Sequence, residues 1–310
     1  MSGAALLFPG QGSQYVGMGR DLAEDATSVR ELYERADDAL DVPLSRICWE
    51  GPEEELRATE NAQPAIMLHS FAVWQLVAER AGQVDVGAGH SLGELSAYLV
   101  SDAFGFEDGL RIVRERGRFM GASGADRPGT MAAVLGLDAR VVADVCERAG
   151  EWGVAVPANL NAPGQVVISG DVEAVAAAGR LASEAGARRV LPLNVSGAFH
   201  SPLMVTAADG LAAALEGATW RDPSFPIVSN ATATPVTDSA EARRTLSLQL
   251  TSTVRWAEGI ERIRETGTTR WLEIGPGSVL SGLARRIDRS LRVTAVGDSP
   301  SVDAYLGSTD

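Results

Sequence analysis

One stretch of the chain joins an apolar run to a glycine-bounded turn: Val84-Asp85-Val86-Gly87-Ala88-Gly89-His90-Ser91-Leu92-Gly93. The apolar run predicts a strand at residues 84–88, and the residues after the turn predict a helix at 94–100. The turn fits the pattern Gly-x-Ser-x-Gly, which forms a nucleophile elbow when it joins a strand to a helix. Ser91 is therefore the candidate nucleophile. The alternative is a glycine-rich turn whose serine only caps the helix.

The chain on either side of this turn has the alternating pattern of an α/β protein. An apolar run at residues 4–8 predicts a buried strand, and further strands are expected at 226–229, 271–274 and 293–296. Between residues 127 and 194, the order strand, helix, strand, strand, helix, strand is typical of a ferredoxin-like unit. We therefore expect an α/β fold, with an α/β-hydrolase-like large domain that contains a parallel sheet and an inserted ferredoxin-like small domain.

The domain bounds follow from the same pattern. The catalytic domain is predicted to be discontinuous, with residues 1–126 and 195–298, and the small domain to cover residues 127–194. Residues 299–310 are expected to form a loose tail.

Length and composition limit the class of protein. The chain has 310 residues, 45% of them hydrophobic, which is enough for a full α/β core. Its formal net charge of −14 argues against nucleic-acid binding, because phosphate recognition needs a basic surface. Cys48 and Cys146 fit neither a disulfide framework nor a metal motif, so no metal is expected. Without a signal-like N-terminus or a bilayer-length apolar run, the sequence predicts a cytoplasmic protein that does not contact membranes.

A serine nucleophile needs a base, and the chain has three histidines. His90 precedes Ser91 in the tight turn, so its side chain is expected to point away from the Ser91 hydroxyl. His69 lies in a predicted helix and is better explained as a packing or surface residue. His200 follows a predicted strand, at the kind of strand end where active sites form, and is therefore the candidate base. The alternative for His200 is a structural loop residue.

Arg116 lies on the less polar side of a predicted helix. It falls beside Ile112, Phe119 and Met120, where a guanidinium would be partly buried and must find an acceptor. An acidic substrate or an internal carboxylate would satisfy it, and spacing alone favours the internal pair. The other charged residues of this helix form one solvent-facing stripe: Arg111, Arg114, Glu115 and Arg118.

Short motifs follow one another through nearly the whole chain. They are Phe8-Pro9-Gly10-Gln11-Gly12-Ser13-Gln14, Gly89-His90-Ser91-Leu92-Gly93-Glu94, Arg116-Gly117-Arg118-Phe119-Met120, Asn159-Leu160-Asn161, Gly197-Ala198-Phe199-His200-Ser201, Pro226-Ile227-Val228-Ser229-Asn230, Gln249 with Val254-Arg255-Trp256, and Leu272-Glu273-Ile274-Gly275-Pro276-Gly277. Together they resemble the malonyl-CoA:acyl carrier protein transacylase family. Several motifs in register are more specific than the elbow alone.

The resemblance implies a ping-pong S-malonyltransferase. Ser91 would take the malonyl group from coenzyme A, and His200 would act as the base in both half-reactions. Gln11 and the backbone N–H of Leu92 would form the oxyanion hole. Arg116 would bind the malonyl carboxylate, in place of the internal ion pair that spacing favours. A backbone carbonyl near Gln249, rather than an acid, would orient the histidine.

The resemblance also implies which acyl group fits. Phe199, together with Leu92, is similar to the malonyl-selective pattern, in which a methyl branch is crowded out. A single methyl group is worth only about 1–3 kcal/mol, so some methylmalonyl transfer is expected. Malonyl-CoA is the expected substrate, with no bound cofactor. The pocket residues implied by the resemblance are His90, Met120, Asn161, Phe199 and Gln249.

The expected partners are a phosphopantetheinylated acyl carrier protein and a coenzyme A thioester, and the chain is expected to be a monomer. The carrier could belong to fatty-acid synthesis or to a polyketide synthase served in trans, because the motifs fit both roles. An acidic carrier would be repelled by the net charge, so a local basic cluster is predicted at the groove mouth. Its predicted members are Arg188, Arg189, Arg285 and Arg286.

Two other functions remain open from the sequence. A thioesterase or acyl hydrolase could use the same serine and histidine, but an unpaired buried Arg116 would be costly for a neutral acyl group. A catalytically idle scaffold that binds carrier proteins would not be labelled at Ser91. It has no support, because nucleophile, base and oxyanion candidates are all present.

Overall fold

A computed structural model describes residues 3–195 and 197–308 of the chain. The strands are β1 Ala4–Phe8, β2 Val84–Gly89, β3 Gly129–Leu135, β4 Ala155–Ala162, β5 Gln165–Asp171, β6 Arg189–Pro192, β7 Ile227–Val228, β8 Pro235–Val236, β9 Arg270–Ile274 and β10 Val293–Val296. The helices are α1 Arg20–Asp25, α2 Thr27–Leu40, α3 Leu44–Glu50, α4 Glu53–Arg57, α5 Thr59–Ala81, α6 Leu92–Val100, α7 Phe106–Asp126, α8 Ala139–Arg148, α9 Val172–Glu184, α10 Val205–Glu216, α11 Ser239–Gln249, α12 Trp256–Arg264, α13 Val279–Ile287 and α14 Ser299–Leu306. Short 3-10 helices cover Ala149–Trp152 and Pro202–Met204.

The first sheet has six strands in the order β10-β9-β1-β2-β7-β8. Its pairs are parallel except for β7 with β8. Strand β1 packs on both faces, because Leu6 and Phe8 join one hydrophobic cluster and Ala5 and Leu7 join the cluster on the opposite side. Burial on both faces explains why this strand is a continuous apolar run in the sequence.

The parallel arrangement brings three loops to one edge of the first sheet. Strands β1, β2 and β7 are neighbours, so their carboxyl ends lie side by side. Gln11 follows β1, Ser91 follows β2 and Asn230 follows β7. The carboxyl edge of a parallel sheet is where active sites of α/β proteins form.

The second sheet is antiparallel, with four strands in the order β4-β5-β3-β6. Helices α8 and α9 share a hydrophobic cluster with its strands. The order strand, helix, strand, strand, helix, strand is the one predicted, and the two sheets together confirm the predicted fold class. The domain bounds at residues 127 and 194 remain a prediction.

The second sheet is joined to the segment between α11 and α12. The backbone N–H of Leu160 in β4 donates to the carbonyl of Val254 at 2.9 Å, and the Val254 N–H donates to the carbonyl of Ala158 at 2.8 Å. These bonds fix the segment between α11 and α12 against β4.

The C-terminal segment is not the loose tail that was predicted. Residues 299–306 form α14, whose N-cap Asp298 accepts a hydrogen bond from the Ser301 N–H at 2.9 Å. Val302 is buried, and the Ser299 N–H donates to the carboxylate of Asp21 at 2.7 Å. The capping pair three residues apart was the signal in the sequence that the prediction overlooked.

Two further sequence expectations concern membranes and cysteines. Within residues 3–195 and 197–308, no helix combines the length and the apolar character that a membrane crossing requires. Cys48 and Cys146 are buried free thiols.

Candidate active site

Ser91 lies in a strained turn between β2 and α6. Its backbone has φ 53° and ψ −106°, a region that side-chain-bearing residues rarely adopt. A Cβ on Gly89 would lie 1.8 Å from the backbone carbon of Gly93, and a Cβ on Gly93 would lie 2.0 Å from the carbonyl oxygen of Phe8. The two glycines of the motif are therefore required by close backbone contacts. The turn lifts Ser91 to the carboxyl edge of the first sheet.

The Ser91 hydroxyl contacts the imidazole of His200. The distance from Ser91 Oγ to His200 Nε2 is 2.7 Å, and His200 Nδ1 lies 3.0 Å from the carbonyl oxygen of Gln249. A carbonyl only accepts, so Nδ1 carries the proton and the Nε2 lone pair faces Ser91. Burial, with the nearby Arg116 guanidinium second, lowers the pKa of His200 to about 3. The imidazole is thus neutral near pH 7 and able to accept a proton.

His200 comes from the second sheet rather than from the parallel one. The strand before it is β6, which pairs antiparallel with β3. The strand-end rule used for His200 holds for parallel sheets and does not apply to β6, but the loop after β6 does reach Ser91 as expected. His200 itself adopts φ 57°, so its backbone is also in the left-handed region.

Arg116 is buried and contacts the nucleophile directly. Its side chain on α7 is 1% exposed, and Nη2 donates to Ser91 Oγ at 3.0 Å. Nη2 also donates to Gln249 Oε1 at 2.8 Å, and Nη1 donates to Gln63 Oε1 at 2.8 Å. The contacts of Arg116 in the described ranges are thus with neutral groups, and the internal ion pair that spacing favours is not formed. Burial lowers the pKa of Arg116 to about 9, with Glu94 opposing the shift, so the guanidinium stays charged at neutral pH.

Glu94 and Asn230 have no role predicted from the sequence, although both lie within the motifs quoted above. Glu94 is fully buried, and its Oε2 accepts from the Gln249 side chain at 2.6 Å and from the Asn230 N–H at 3.1 Å. Asn230 Oδ1 accepts from the Ser91 N–H at 2.7 Å, and its Nδ2 donates to the Gly89 carbonyl at 2.7 Å. Burial raises the pKa of Glu94 to about 7, opposed by these hydrogen bonds and by Arg116. A lone acid inside the apolar stretch 92–100 was the available signal.

The predicted oxyanion donors come from the start of α6 and from the loop after β1. Leu92 is the first residue of α6, where a backbone N–H has no partner within the helix. The Gln11 side chain lines the cavity and donates to Thr59 Oγ1 at 3.3 Å.

His90 and Asn161 form a pair next to the nucleophile. His90 Nε2 lies 2.8 Å from Asn161 Oδ1, and the imidazole packs 5.5 Å from the ring of Trp256. Burial lowers the pKa of His90, so this ring is neutral as well. His69, by contrast, is buried in the core with its Nε2 2.7 Å from the carbonyl of Gly297.

A cavity of about 1050 Å³ opens onto Ser91 and His200. Three of the five predicted pocket residues line it, namely His90, Met120 and Phe199. The other two do not line it: Asn161 contacts His90, and Gln249 contacts Arg116. The other lining residues are Gln11, Gly12, Gln14, Glu54, Arg57, Ala58, Thr59, Glu60, Gly117, Arg118, Gly121, Ala122, Met131, Asn159, Leu193, Asn194 and Val195.

The charged lining of this cavity does not include the predicted groove arginines, whose place at the groove mouth stays a prediction. Among the described residues, the cationic side chains that line it are Arg57 and Arg118, with Glu54 and Glu60 nearby. A pair of adjacent arginines in a sequence indicates that the side chains are exposed, but it does not indicate which surface of the protein they lie on. The predicted residues are exposed and lie at or just before the start of β6 and near the end of α13: Arg188, Arg189, Arg285 and Arg286.

The arrangement can perform acyl transfer through a covalent serine ester. It contains a nucleophile bonded to a neutral imidazole, a backbone N–H at a helix start, and a buried cation next to the nucleophile. Across residues 3–195 and 197–308, no group of three or more His, Cys, Asp or Glu side chains is placed to hold a metal ion.

Comparison with known proteins agrees with this chemistry. Residues 5–299 match the family described as acyl transferase domain. The malonyl CoA-acyl carrier protein transacylase of Bacillus subtilis (strain 168) is 44% identical over 307 residues, 99% of this chain and 97% of that protein. The Escherichia coli (strain K12) protein of the same name is 40% identical, with 99% of both chains covered.

Solved structures give the same result. The malonyl-CoA:acyl carrier protein transacylase of Xanthomonas oryzae pv. oryzae superposes with a TM-score of 0.95 at 41% identity, covering 99% of this chain and 98% of that one. A malonyl-transacylase solved in complex with a type II PKS acyl-carrier protein has a TM-score of 0.94 at 41% identity, covering 98% of this chain and 99% of that one.

Proposed function

Because this chain belongs to the acyl transferase family of the malonyl CoA-acyl carrier protein transacylases, we propose that it moves a malonyl group from coenzyme A to an acyl carrier protein through Ser91. The single observation that carries the assignment of roles is the placement of Ser91 Oγ between His200 Nε2 at 2.7 Å and Arg116 Nη2 at 3.0 Å. A base and a carboxylate-binding cation thus flank one hydroxyl.

The first half-reaction forms the malonyl-serine ester. His200 Nε2 takes the hydroxyl proton as Ser91 Oγ attacks the thioester carbonyl, and the carbonyl π electrons move onto oxygen. The Leu92 N–H and the Gln11 amide stabilise that oxyanion. When the tetrahedral intermediate collapses, the carbon–sulfur bond breaks and His200 returns the proton to the sulfur of coenzyme A.

The second half-reaction reverses these steps with a different thiol. His200 takes the proton from the phosphopantetheine thiol of the carrier protein, and the thiolate attacks the malonyl-serine carbonyl. Collapse breaks the bond to Ser91 Oγ, which regains its proton from His200. Every catalytic group in the cycle is a side chain or backbone group of this chain, so the proposal needs no resident cofactor. Malonyl-CoA enters as a substrate.

Arg116 accounts for the choice of a dicarboxylic acyl group. In a malonyl ester only one methylene separates the ester carbonyl from the free carboxylate, so that carboxylate must lie close to Ser91 Oγ. The guanidinium already contacts this oxygen and is held there by Gln63 and Gln249. A charge-assisted pair with a carboxylate in a buried site is stronger than the neutral contacts it replaces.

The carrier is proposed to belong to fatty-acid or polyketide synthesis, since one structural relative was solved with a type II PKS acyl-carrier protein. We place the reaction in the cytoplasm, where coenzyme A thioesters are available. The two buried free thiols fit a reducing compartment.

The test is to mix the protein with radiolabelled malonyl-CoA, isolate it, and divide it between buffer and a phosphopantetheinylated carrier protein. Label that persists in buffer and moves to the carrier thiol is expected. Ser91→Ala should take up no label, whereas the control Ser183→Ala should behave like the wild type, because the Ser183 hydroxyl donates to the Gly179 carbonyl within α9, outside the acyl site. Label lost to water as fast as to the carrier would instead indicate an acyl hydrolase, and no label at all would remove the malonyl assignment.

A further inference from the structure

The side-chain amide of Gln249 lies between the buried carboxyl group of Glu94 and the buried guanidinium of Arg116. Its Nε2 donates to Glu94 Oε2 at 2.6 Å and to the backbone carbonyl of Ser91 at 3.0 Å. Its Oε1 accepts from Arg116 Nη2 at 2.8 Å. Gln249 is 1% exposed and Glu94 is fully buried, so water does not compete for these contacts.

Only one orientation of this amide satisfies its neighbours. Glu94 Oε2 acts as an acceptor, since it also receives the Asn230 N–H, and the Ser91 carbonyl only accepts, whereas the Arg116 guanidinium only donates. A flipped amide would place its oxygen against two acceptors and its NH2 group against a donor, leaving buried polar groups unpaired. The carboxylate of Glu94 therefore holds the oxygen of Gln249 towards Arg116.

The position of Arg116 depends on that oxygen. Its side chain spans from α7 to the nucleophile, and its guanidinium is held there by Gln63 and Gln249. The Nη2 group that bonds to Gln249 is also the group that contacts Ser91 Oγ. Losing the Gln249 acceptor removes the contact that aims Nη2 at the acyl site.

We infer that Glu94 is a positioning residue for acyl-group selection, which sets the Gln249 amide and through it the Arg116 guanidinium that receives the free carboxylate. The inference rests on the proposed malonyl transfer. It predicts that the contact with Gln249, rather than the charge of Glu94, decides how strongly the enzyme prefers malonyl to a neutral acyl group.

Two substitutions separate contact from charge. Glu94→Gln removes the charge but can keep an oxygen at the Oε2 position, where Gln249 and Asn230 donate. Glu94→Asp can keep the charge but withdraws the carboxylate by one methylene, about 1.5 Å. The measurement is the single-turnover acylation of Ser91 by malonyl-CoA and by acetyl-CoA, expressed as the ratio of their kcat/KM values.

Glu94→Gln should leave the malonyl-to-acetyl ratio within about threefold of the wild type. Glu94→Asp should lower it about tenfold, the usual effect of losing a hydrogen bond to a charged group. If Glu94→Gln lowers the ratio while Glu94→Asp preserves it, charge is what matters and the inference is wrong. Equal loss for the two acyl groups in Glu94→Asp also overturns it, because that outcome marks a purely structural residue.

A second variant tests the path through Gln249. Gln249→Met removes the acceptor of Arg116 and should by itself lower the ratio about tenfold. In the Gln249→Met background, Glu94→Asp should change the ratio no further, and an additional full tenfold loss would contradict the proposed path. This variant keeps the inference testable if Glu94→Asp does not fold.

The matched control is Glu273→Asp, the same change at a second buried glutamate. Glu273 accepts from the Leu280 and Ser281 N–H groups at the start of α13, not from any residue of the acyl site described above. It should lower thermal stability without changing the ratio. A wild-type protein that takes up no malonyl label refutes the proposed function itself, whereas labelled wild type with an unchanged ratio in Glu94→Asp and Gln249→Met refutes only this inference.

Discussion

Arg116 Nη2 donates a hydrogen bond to Ser91 Oγ, although the two residues come from different helix-and-strand units and lie 25 positions apart. This contact places the buried positive charge of Arg116 next to Ser91 Oγ, the atom that would carry the acyl group. It favours ionisation of the serine hydroxyl and, with burial, keeps His200 neutral. One arginine therefore acts on both members of the proposed catalytic pair, Ser91 and His200, before any substrate arrives.

Replacing Arg116 is expected to change acyl preference rather than abolish chemistry. Arg116→Met removes the cation but keeps an unbranched apolar stem, so acylation by malonyl-CoA should fall about 100-fold or more relative to acetyl-CoA. The measurement is the ratio of acylation rates at matched concentrations. Arg111→Met, at an exposed position of the same helix, is the control and should leave the ratio unchanged. Equal losses for both thioesters in Arg116→Met would show that Arg116 does not bind the carboxylate.

Burial of neutral His200 predicts a specific pH dependence of folding. Its pKa is about 3 when folded and about 6.5 when unfolded, so below pH 6.5 the unfolded chain binds the extra proton and acid weakens the fold. Replacement by Asn keeps a donor for the Gln249 carbonyl and removes this proton. Between pH 6.5 and 4.5, His200→Asn should therefore gain about 2–3 kcal/mol of stability relative to the wild type.

Urea unfolding of both proteins across this pH range measures the difference. Other titrating groups, such as Glu94 with its raised pKa, are present in both proteins, so their contribution largely cancels. A stability difference that does not vary with pH would mean that His200 titrates normally in the folded protein.

The elbow should not tolerate a side chain at Gly89. The Cβ of Gly89→Ala would lie 1.8 Å from the backbone carbon of Gly93, which cannot move without displacing α6. We expect a loss of at least about 3 kcal/mol in the free energy of unfolding and no acyl-enzyme. The control is Gly282→Ala in α13, where a Cβ meets nothing within 4 Å and stability should rise by about 0.5–1 kcal/mol. A stable, active Gly89→Ala would contradict the structure of the turn.

The cap of α14 should contribute measurably to stability. Asp298→Ala removes the acceptor for the Ser301 N–H and should lower the free energy of unfolding by about 1 kcal/mol. Asp303→Ala, an exposed position within the same helix, is the control and should change stability by less than about 0.5 kcal/mol. Equal values for the two variants would restore the loose-tail prediction for residues 299–310.

Local pattern predicted much of the fold. The nucleophile elbow could be predicted from residues 89–93. Its two glycines are required because an added Cβ would come within 2 Å of backbone atoms. The parallel strands followed from apolar runs that are buried on both faces, as in β1. Helix α14 was missed because its apolar side is short, with Val302 its buried residue, and its cap is a pair of polar residues that also suits a loop.

The sequence by itself determined the candidates: a serine in an elbow, few histidines to serve it, and an arginine set apart from the charged stripe of its helix. Periodicity and motif spacing act over a few residues, so they identify such groups one at a time. Tertiary structure alone decided that His200 reaches Ser91 from the antiparallel sheet, that Arg116 meets Gln249 rather than an acid, and that Glu94 lies behind both. These relationships join residues up to 155 positions apart, and tertiary packing, not local pattern, sets such distances.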